Sequence, residues 1–164
     1  MQSGRHFCRT SYLYGHMKKL ALILSVFFGT TAGLQAAVDT TFITPFERSG
    51  GKQTTTFSEM LSFYKRLKDT YTTIGMGDMG PADNGYPLRY VAYTNDGHLE
   101  KEEIRTGQKL VFLINNAIHP GEPDGVDACM MLLRDAAMGR VKIPDNVVLV
   151  VVPMYNLGEA LNRG

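Results

Sequence analysis

The spacing of apolar residues predicts two amphipathic helices. Residues 57–68 carry apolar side chains at helical intervals, and Thr56 and Glu59 stand where the two members of an N-terminal capping box belong. A second run of helical spacing covers residues 123–138 and ends at Gly139. The inward face of this second helix is predicted to carry Val126, Cys129, Met130, Leu133 and Ala137.

Continuous apolar runs predict two buried strands, at residues 109–114 and 146–152. The first has the composition expected of a strand that helices cover on both faces. A third strand is predicted at residues 88–94, behind the letters GMGDMG at residues 75–80, which match the G-x-G-x-x-G pattern. That pattern binds dinucleotides only where a helix opens directly after it. Here turn-forming residues follow, so a glycine-rich strand and a β-hairpin are predicted instead.

The order of these elements is helix, hairpin, buried strand, helix and buried strand. This order indicates the α/β class, with a mixed, largely parallel sheet and helices on both faces. Residues 38–56 are rich in threonine, glycine and serine and are predicted to form an extended lead-in. Residues 95–98 are predicted as a tight turn, which an acidic loop follows at residues 100–103.

The first 37 residues have the features of a leader that is removed. Residues 17–37 begin with Met17 and two lysines, continue with the apolar stretch 20–28 and end in small residues, as secretory signal peptides do. Cleavage after Ala36 or Ala37 is predicted, and Met17 is predicted to be the true start. The apolar stretch is too short for a permanent membrane helix. We therefore expect an exported protein without a stable membrane span after signal removal, folded over residues 38–164.

Removal of the leader changes the charge balance. The chain has 17 basic and 16 acidic residues, and residues 1–37 hold four of the basic ones and no acidic one. The remaining part therefore has 13 basic and 16 acidic residues, a net charge of −3. With no basic patch interleaved with aromatic residues, a nucleic-acid partner is not expected. Cys129 is the one cysteine left, and its apolar neighbours predict a buried core thiol that forms no internal disulfide.

The stretch with the most specific chemistry follows the apolar strand at residues 109–114. His119 and Glu122 lie there, three residues apart, in a polar turn that leads into the second helix. In open α/β sheets ligands bind outside the carboxyl ends of strands, and this turn follows such an end. An imidazole and a carboxylate at this spacing can bind one Zn²⁺. The same spacing also suits a Glu122 that caps the helix beside a hydrogen-bonded loop histidine.

Two segments carry a family resemblance. Residues 116–122, NAIHPGE, the helix after them, and the later strand end at residues 151–156, VVPMYN, together resemble the zinc carboxypeptidase superfamily, the carboxypeptidase A-like peptidases. The resemblance spans residues 57–162, the N-terminal portion of such a domain. It is partial after Asn156, where Leu157 and Glu159 replace the proline and aspartate of the family's N-P-D-G segment. It implies that His119 and Glu122 are the first two zinc ligands.

The resemblance also implies the activity. It predicts an exported metallocarboxypeptidase-like hydrolase that uses Zn²⁺ and a zinc-activated water to cleave peptide bonds of a peptide or protein substrate. The third ligand, a histidine, and the general-base glutamate are expected beyond Gly164, so residues 38–164 form a truncated, N-terminal part of the domain and no catalytic residue is assigned within it. His98 is disfavoured as the third ligand because a strand and the acidic loop separate it from His119.

Two other functions remain open. An inactive, truncated peptidase fold can serve as a binding module, and a zinc deacylase or amidase of the same superfamily would share the His-x-x-Glu loop. The length of the resemblance on both sides of the loop favours the peptidase. Zinc affinity and the sequence beyond Gly164 would discriminate between the three functions.

Overall fold

The computed structural model describes residues 40–119 and 121–161. It begins with a short 3-10 helix at Thr40–Phe42. The helices are α1 (Pro45–Arg48), α2 (Phe57–Thr70), α3 (Lys101–Thr106), α4 (Asp124–Ala137) and α5 (Leu157–Ala160). The strands are β1 (Ile74–Pro81), β2 (Pro87–Tyr93), β3 (Leu110–Asn115) and β4 (Val147–Val152). The predicted leader, residues 1–37, lies outside the described residues. None of the described helices is long and apolar enough to cross a bilayer.

The main predicted elements are confirmed. Helices α2 and α4, the hairpin β1–β2 and strands β3 and β4 all occur, with ends within two residues of those predicted. Helix α2 begins with the predicted capping box, since Thr56 accepts a hydrogen bond from the backbone of Glu59 and the Glu59 carboxylate accepts one from the backbone of Thr56. The prediction of an acidic loop at residues 100–103 is wrong, because α3 begins at Lys101, with Glu100 as its N-cap residue, whose N–H donates to the Glu103 carboxylate at 3.2 Å.

The four strands form one mixed sheet in the order β1-β2-β4-β3. The pairs β1–β2 and β2–β4 are antiparallel, whereas β3 and β4 run parallel, with Leu110 opposite Val147 and Asn115 opposite Val152. Helix α4 connects the two parallel strands, as a crossover of this kind requires. The mixed α/β class is confirmed. Because β3 and β4 are parallel, their carboxyl ends lie side by side at the same end of the sheet.

Helices α2 and α4 pack against one face of the sheet and against each other. This face of the sheet contributes apolar side chains at every second strand position, as the pleat requires. The core between these layers is closed, with side chains that are almost completely buried: Met60, Phe63, Tyr64 and Leu67 from α2, Val126, Met130 and Leu133 from α4, and Val91, Tyr93 and Val151 from the sheet. Cys129 belongs to the same core, as predicted.

Side chains on the opposite face of the sheet leave no room for a side chain at two glycines of the GMGDMG stretch. A side chain at Gly77 would begin 2.4 Å from the ring of Tyr90, and one at Gly75 would begin 2.9 Å from the side chain of Leu99. Both glycines lie in β1, so the close approach of these two side chains accounts for them and the hairpin prediction is confirmed. Beside them lies an open cavity of about 700 Å³ that Ile104 of α3 also lines.

β3 is the open edge of the described sheet. The side chains of Leu110, Val111, Phe112 and Leu113 are 64%, 57%, 61% and 59% exposed. Because successive strand residues point to opposite faces, both faces of β3 are open. The prediction that helices cover this strand on both faces is therefore wrong within the described residues. The reason is topological, since β3 ends the sheet while α2 packs on β1 and α4 packs on β2.

The predicted extended lead-in is also wrong. Within residues 40–56, called the N-terminal segment below, Thr44 caps α1 through a capping box with Glu47, and Pro45 occupies the first turn. Phe42 is buried in the core, where its ring meets the ring of Phe63 edge to face at 5.9 Å. Local capping and one buried aromatic ring thus convert a threonine-rich stretch into an ordered part of the fold.

Candidate metal site

The candidate site lies where β3 and β4 end side by side. The chains that leave the two strands continue to pair, because Asn116 donates its N–H to the Val152 carbonyl at 3.0 Å and Tyr155 donates to the Asn116 carbonyl at 2.9 Å. Asn156 then donates its N–H to the carbonyl of Ala117 at 3.1 Å. The loop before His119 is therefore fixed against the chain that follows β4. The pair β3–β4 thus opens a crevice outside its carboxyl ends, the position at which α/β sheets bind ligands.

Asn116 and Ala117 anchor this loop from below. The Asn116 side chain is buried against the first turn of α4, where a side chain at Gly125 would begin 2.5 Å from Asn116 Oδ1. Ala117 is buried and adopts a positive φ of 49°, which costs energy for a residue with a Cβ atom. Strain of this kind persists where surrounding structure dictates the backbone, and here it directs the chain towards His119.

His119 and Glu122 are brought together at this crevice. Nδ1 of His119 lies 3.2 Å from Oε1 of Glu122, and the Glu122 N–H donates to the His119 carbonyl at 3.3 Å. The side chains are 68% and 62% exposed, so both can be reached from solvent. A backbone turn and a direct side-chain contact therefore hold His119 and Glu122 close to each other.

The capping interpretation of Glu122 is not supported by the geometry. Helix α4 has Pro123 at its N-cap position and no hydrogen bond from a capping side chain. The carboxylate of Glu122 points to the imidazole of His119 instead of to the first N–H groups of the helix. The predicted helix start at Pro123 is one residue early, a difference within the usual uncertainty of helix ends.

The donor pair fits a zinc ion in chemistry and in spacing. Imidazole nitrogen and carboxylate oxygen bind zinc at about 2.0–2.2 Å, so two such ligands of a tetrahedral ion lie about 3.4 Å apart. The separation of 3.2 Å between Nδ1 of His119 and Oε1 of Glu122 is that of a hydrogen bond, and it leaves both donor atoms within reach of one ion. Two donors do not complete a zinc shell, and within residues 40–119 and 121–161 no group of three metal-binding side chains occurs.

His98 does not join the pair. It follows β2, whose end lies beside the beginning of β4, because Tyr93 of β2 is opposite Leu149 of β4. His98 therefore lies near the beginning of β4, whereas His119 lies near its end. The six residues of β4 separate these two places by about 20 Å. His98 is instead held in the turn that the sequence predicts, where its N–H donates to the Asp96 carboxylate at 3.0 Å.

Two buried charged residues support the helix behind the site. Asp127 is 3% exposed and accepts the backbone N–H of Thr55 at 3.2 Å as well as the Thr55 hydroxyl. Arg134 is 7% exposed, and its Nη1 donates to Glu47 Oε2 at 2.6 Å and to the Phe42 carbonyl at 3.1 Å. Both side chains therefore tie α4 to the N-terminal segment.

Sequence reasoning missed both of these charges. The signal was their spacing, because Asp127 and Arg134 lie seven residues apart and share one stripe of the helix with the buried Met130. Burial lowers the pKa of Arg134, but the hydrogen bonds that its guanidinium donates to Asp135 and Glu47 outweigh burial and raise the pKa above its usual value. The pKa of Glu47 is lowered, since its bonds with Arg134 and Thr44 outweigh burial.

Cys129 is a buried thiol of the core. Its side chain is 5% exposed, and burial raises the pKa of the thiol. A reactive cysteine needs a lowered pKa and access from solvent. The structure therefore agrees with a core cysteine, as predicted.

The fold resembles that of solved carboxypeptidases. Similar structures include carboxypeptidase A from Helicoverpa armigera, with a TM-score of 0.52, 11% identity and matches over 62% of this chain and 24% of the other. Thrombin activatable fibrinolysis inhibitor matches with a TM-score of 0.54 and 17% identity over 66% of this chain and 27% of the other. The bovine form of that inhibitor, in complex with tick carboxypeptidase inhibitor, matches with a TM-score of 0.53 and 16% identity over 67% of this chain and 34% of the other.

The similarity between this chain and these structures is a similarity of fold. No protein-family model matches the sequence, and no curated protein is significantly similar to it. The chain spans about a quarter to a third of the length of the solved structures that it resembles. The fold of this chain is similar to a part of the fold of these carboxypeptidases, in agreement with the resemblance that residues 116–122 and 151–156 carry.

Proposed function

We propose that residues 38–164 form the N-terminal part of an exported, zinc-dependent metallocarboxypeptidase-like hydrolase that acts on peptide or protein substrates. One observation carries the proposal. In a fold like that of carboxypeptidase A, the loop that brings the imidazole of His119 and the carboxylate of Glu122 into contact lies at the carboxyl ends of β3 and β4. This edge is where such a fold binds its ligands.

Nδ1 of His119 and a carboxylate oxygen of Glu122 would hold the metal. Ligation requires a free lone pair on the imidazole nitrogen, so the contact between His119 and Glu122 would be exchanged for contacts with zinc. When bound, zinc supplies an acidic water and polarises the carbonyl of the scissile bond. Both ligands are accessible, and the paired chains after β3 and β4 keep their loop in place. The family resemblance supplies the expectation of a further histidine ligand and a catalytic glutamate beyond Gly164.

Two features support a larger domain. The apolar β3 is exposed on both faces, and an open apolar edge strand is a site of association that folded proteins normally protect. The similar solved structures are three to four times longer than the part that they share with this chain. A further strand beside β3, with helices over its faces, would bury these side chains in the complete protein.

Zinc binding tests the ligand assignment on the chain itself. Because His119 and Glu122 are two of the three expected protein ligands, we expect weak binding of one Zn²⁺ per chain by isothermal titration calorimetry. His119→Ala and Glu122→Gln should each weaken the affinity by at least about tenfold. His98→Ala is the matched control, because it removes an equally exposed histidine at the other edge of the sheet, and its zinc affinity should equal that of the wild type. Zinc affinity that survives His119→Ala unchanged would contradict the ligand assignment.

The binding-module alternative makes a different prediction for activity. In a polypeptide that continues beyond Gly164, the hydrolase should release the C-terminal residue of a blocked dipeptide, and Glu122→Gln should abolish this release. A deacylase would spare the dipeptide and cleave an acylated amine instead. Zinc binding without either hydrolysis would favour a non-catalytic module.

A further inference from the structure

A cavity of about 410 Å³ adjoins the candidate metal loop. It lies between the turn that joins β1 to β2 and the chain that follows β4. The residues that line it include Ala82, Asp83, Leu88, Ile118, Tyr155 and Asn156. Ile118 directly precedes His119, and Asn156 donates from Nδ2 to the Ile118 carbonyl at 3.3 Å. The cavity is therefore continuous with the loop that carries the zinc-ligand pair, and it is within the size range of small-ligand pockets.

Two large, accessible side chains with apolar surface, those of Ile118 and Tyr155, form part of the walls of this cavity. The side chains of Ile118 and Tyr155 are 46% and 50% exposed. Unlike the exposed residues of β3, these two flank a concave space and stand beside the candidate ligands. They can cover the aliphatic stem of a long side chain, as apolar surfaces do for lysine and arginine.

Asp83 is the one charged residue among the described residues that line the cavity. Its Oδ1 accepts the N–H of Asn84 at 3.0 Å and the N–H of Gly158 at 3.1 Å. Its Oδ2 accepts no hydrogen bond from the residues that the structure describes. Among the described residues, no lysine or arginine lines the cavity to neutralise the carboxylate. One oxygen of Asp83 therefore fixes the local structure, and the other is available to a ligand.

We propose that this cavity is a recognition subsite for a cationic group on an apolar stem, the side chain of a lysine or arginine in the peptide substrate. The inference rests on the proposed function, because it assumes that the peptide also reaches His119 and Glu122. The stem lies against Ile118 and Tyr155, and the cation donates to Oδ2 of Asp83. A glutamate side chain is rejected at the same place, because two carboxylates repel each other.

The test uses three N-acetylated tetrapeptides that differ at one position, which holds lysine, norleucine or glutamate. Their binding to the full chain is measured by fluorescence anisotropy at physiological salt. The lysine peptide should bind about three- to fivefold more tightly than the norleucine peptide, as one accessible ion pair allows, and the glutamate peptide should bind most weakly. Equal affinity for lysine and norleucine would overturn the subsite.

Asp83→Asn is the decisive variant. Asparagine keeps an oxygen that can accept the Gly158 N–H, so the turn remains anchored while the charge is lost. The preference for lysine should then disappear. Asp69→Asn is the control, since it makes the same change of net charge at the end of α2. Asp69 lies beyond the opposite end of β1 from Asp83, about 20 Å away. The preference for lysine should persist in this variant. A preference that survives Asp83→Asn would contradict the proposal.

A fourth peptide separates the two sources of a cation. It has a free N-terminal amine and norleucine in place of lysine. The proposal expects this peptide to bind no more tightly than its acetylated form. Tighter binding that Asp83→Asn abolishes would assign the cavity to a terminal amine and overturn the side-chain assignment.

The subsite and the zinc site fail independently. His119→Ala should lose zinc affinity and keep the lysine preference, whereas Asp83→Asn should keep zinc affinity and lose the preference. If the preference depends on Asp83 while zinc affinity does not depend on His119, the proposed hydrolase fails, and the cavity stands only as a binding site for a cationic side chain. If the dependence on His119 holds and the preference is absent, the subsite alone is wrong.

Discussion

The junction of α4 with the N-terminal segment and the edge strand β3 differ in how completely they are covered. At the junction, Asp127 and Arg134 are buried, and each has partners from residues more than 70 positions earlier in the chain. At β3, four successive apolar side chains are more than half exposed. Charged residues are thus inside and apolar residues are outside, the reverse of the usual distribution.

The difference shows that burial depends on which elements pack together. Asp127 and Arg134 are buried because backbone and side-chain groups of the N-terminal segment satisfy their hydrogen bonds, and a satisfied charge can be buried. β3 is exposed because nothing in the described residues packs beyond it. Buried charged residues can therefore stabilise the covered part of the fold. The exposed apolar residues of β3 contribute little to stability unless another segment covers them.

The sharpest test replaces one leucine in each region. Leu133 of α4 is fully buried, so Leu133→Ala should lower the free energy of unfolding by about 2–5 kcal/mol. Leu113 of β3 is 59% exposed, so Leu113→Ala should change it by less than about 0.5 kcal/mol. Urea denaturation of the full chain measures both. Equal losses in the two variants would mean that β3 is covered in solution.

A second test removes a buried charge. Arg134→Ala leaves the Glu47 carboxylate and the Phe42 carbonyl without their donor. We expect the free energy of unfolding to fall by about 2–3 kcal/mol, less than for a completely buried pair because Glu47 is partly exposed. Arg140→Ala removes an arginine whose side chain is 45% exposed and should cost less than about 0.5 kcal/mol. A similar cost for the two variants would refute the anchoring role of Arg134.

Acid should weaken the junction. The pKa of Glu47 is lowered in the folded state from a reference of 4.5, so its stabilising contribution is complete above that pH and is lost as the pH falls through the folded value. Glu47→Gln should cost about 1 kcal/mol at neutral pH. The difference in unfolding free energy between wild type and variant should shrink below about pH 4.5, as stability measurements from about pH 6 to 3 would reveal. A difference that stays constant over this range would contradict the pairing with Arg134.

The smallest effect is expected at the loop before β3. Gln108 is exposed and has a positive φ of 50°, a conformation that glycine adopts without strain. Gln108→Gly should raise the free energy of unfolding by about 0.5 kcal/mol. The exposed Gln53→Gly, at a position without a positive φ, is the control and should not stabilise the chain. A gain from both variants would indicate an effect unrelated to the backbone conformation.

The sequence by itself determined the local elements and the composition of the candidate site. Helical spacing behind the Thr56–Glu59 capping box determined α2, apolar runs determined β3 and β4, and the His119-x-x-Glu122 loop identified the two candidate ligands. These features depend on residues only a few positions apart, where spacing fixes which groups can meet.

Only the tertiary structure decided how these elements are covered and connected. The partners of Asp127 and Arg134 are 72 and 87 residues away, so no local pattern could have revealed them. The same holds for the cavity beside Ile118, because Asp83 and Tyr155, which both line it, are 72 residues apart along the chain. The apolar run of β3 predicted burial, but burial of a strand depends on its neighbours in space, and within the described residues β3 has a neighbouring strand, β4, on one side only.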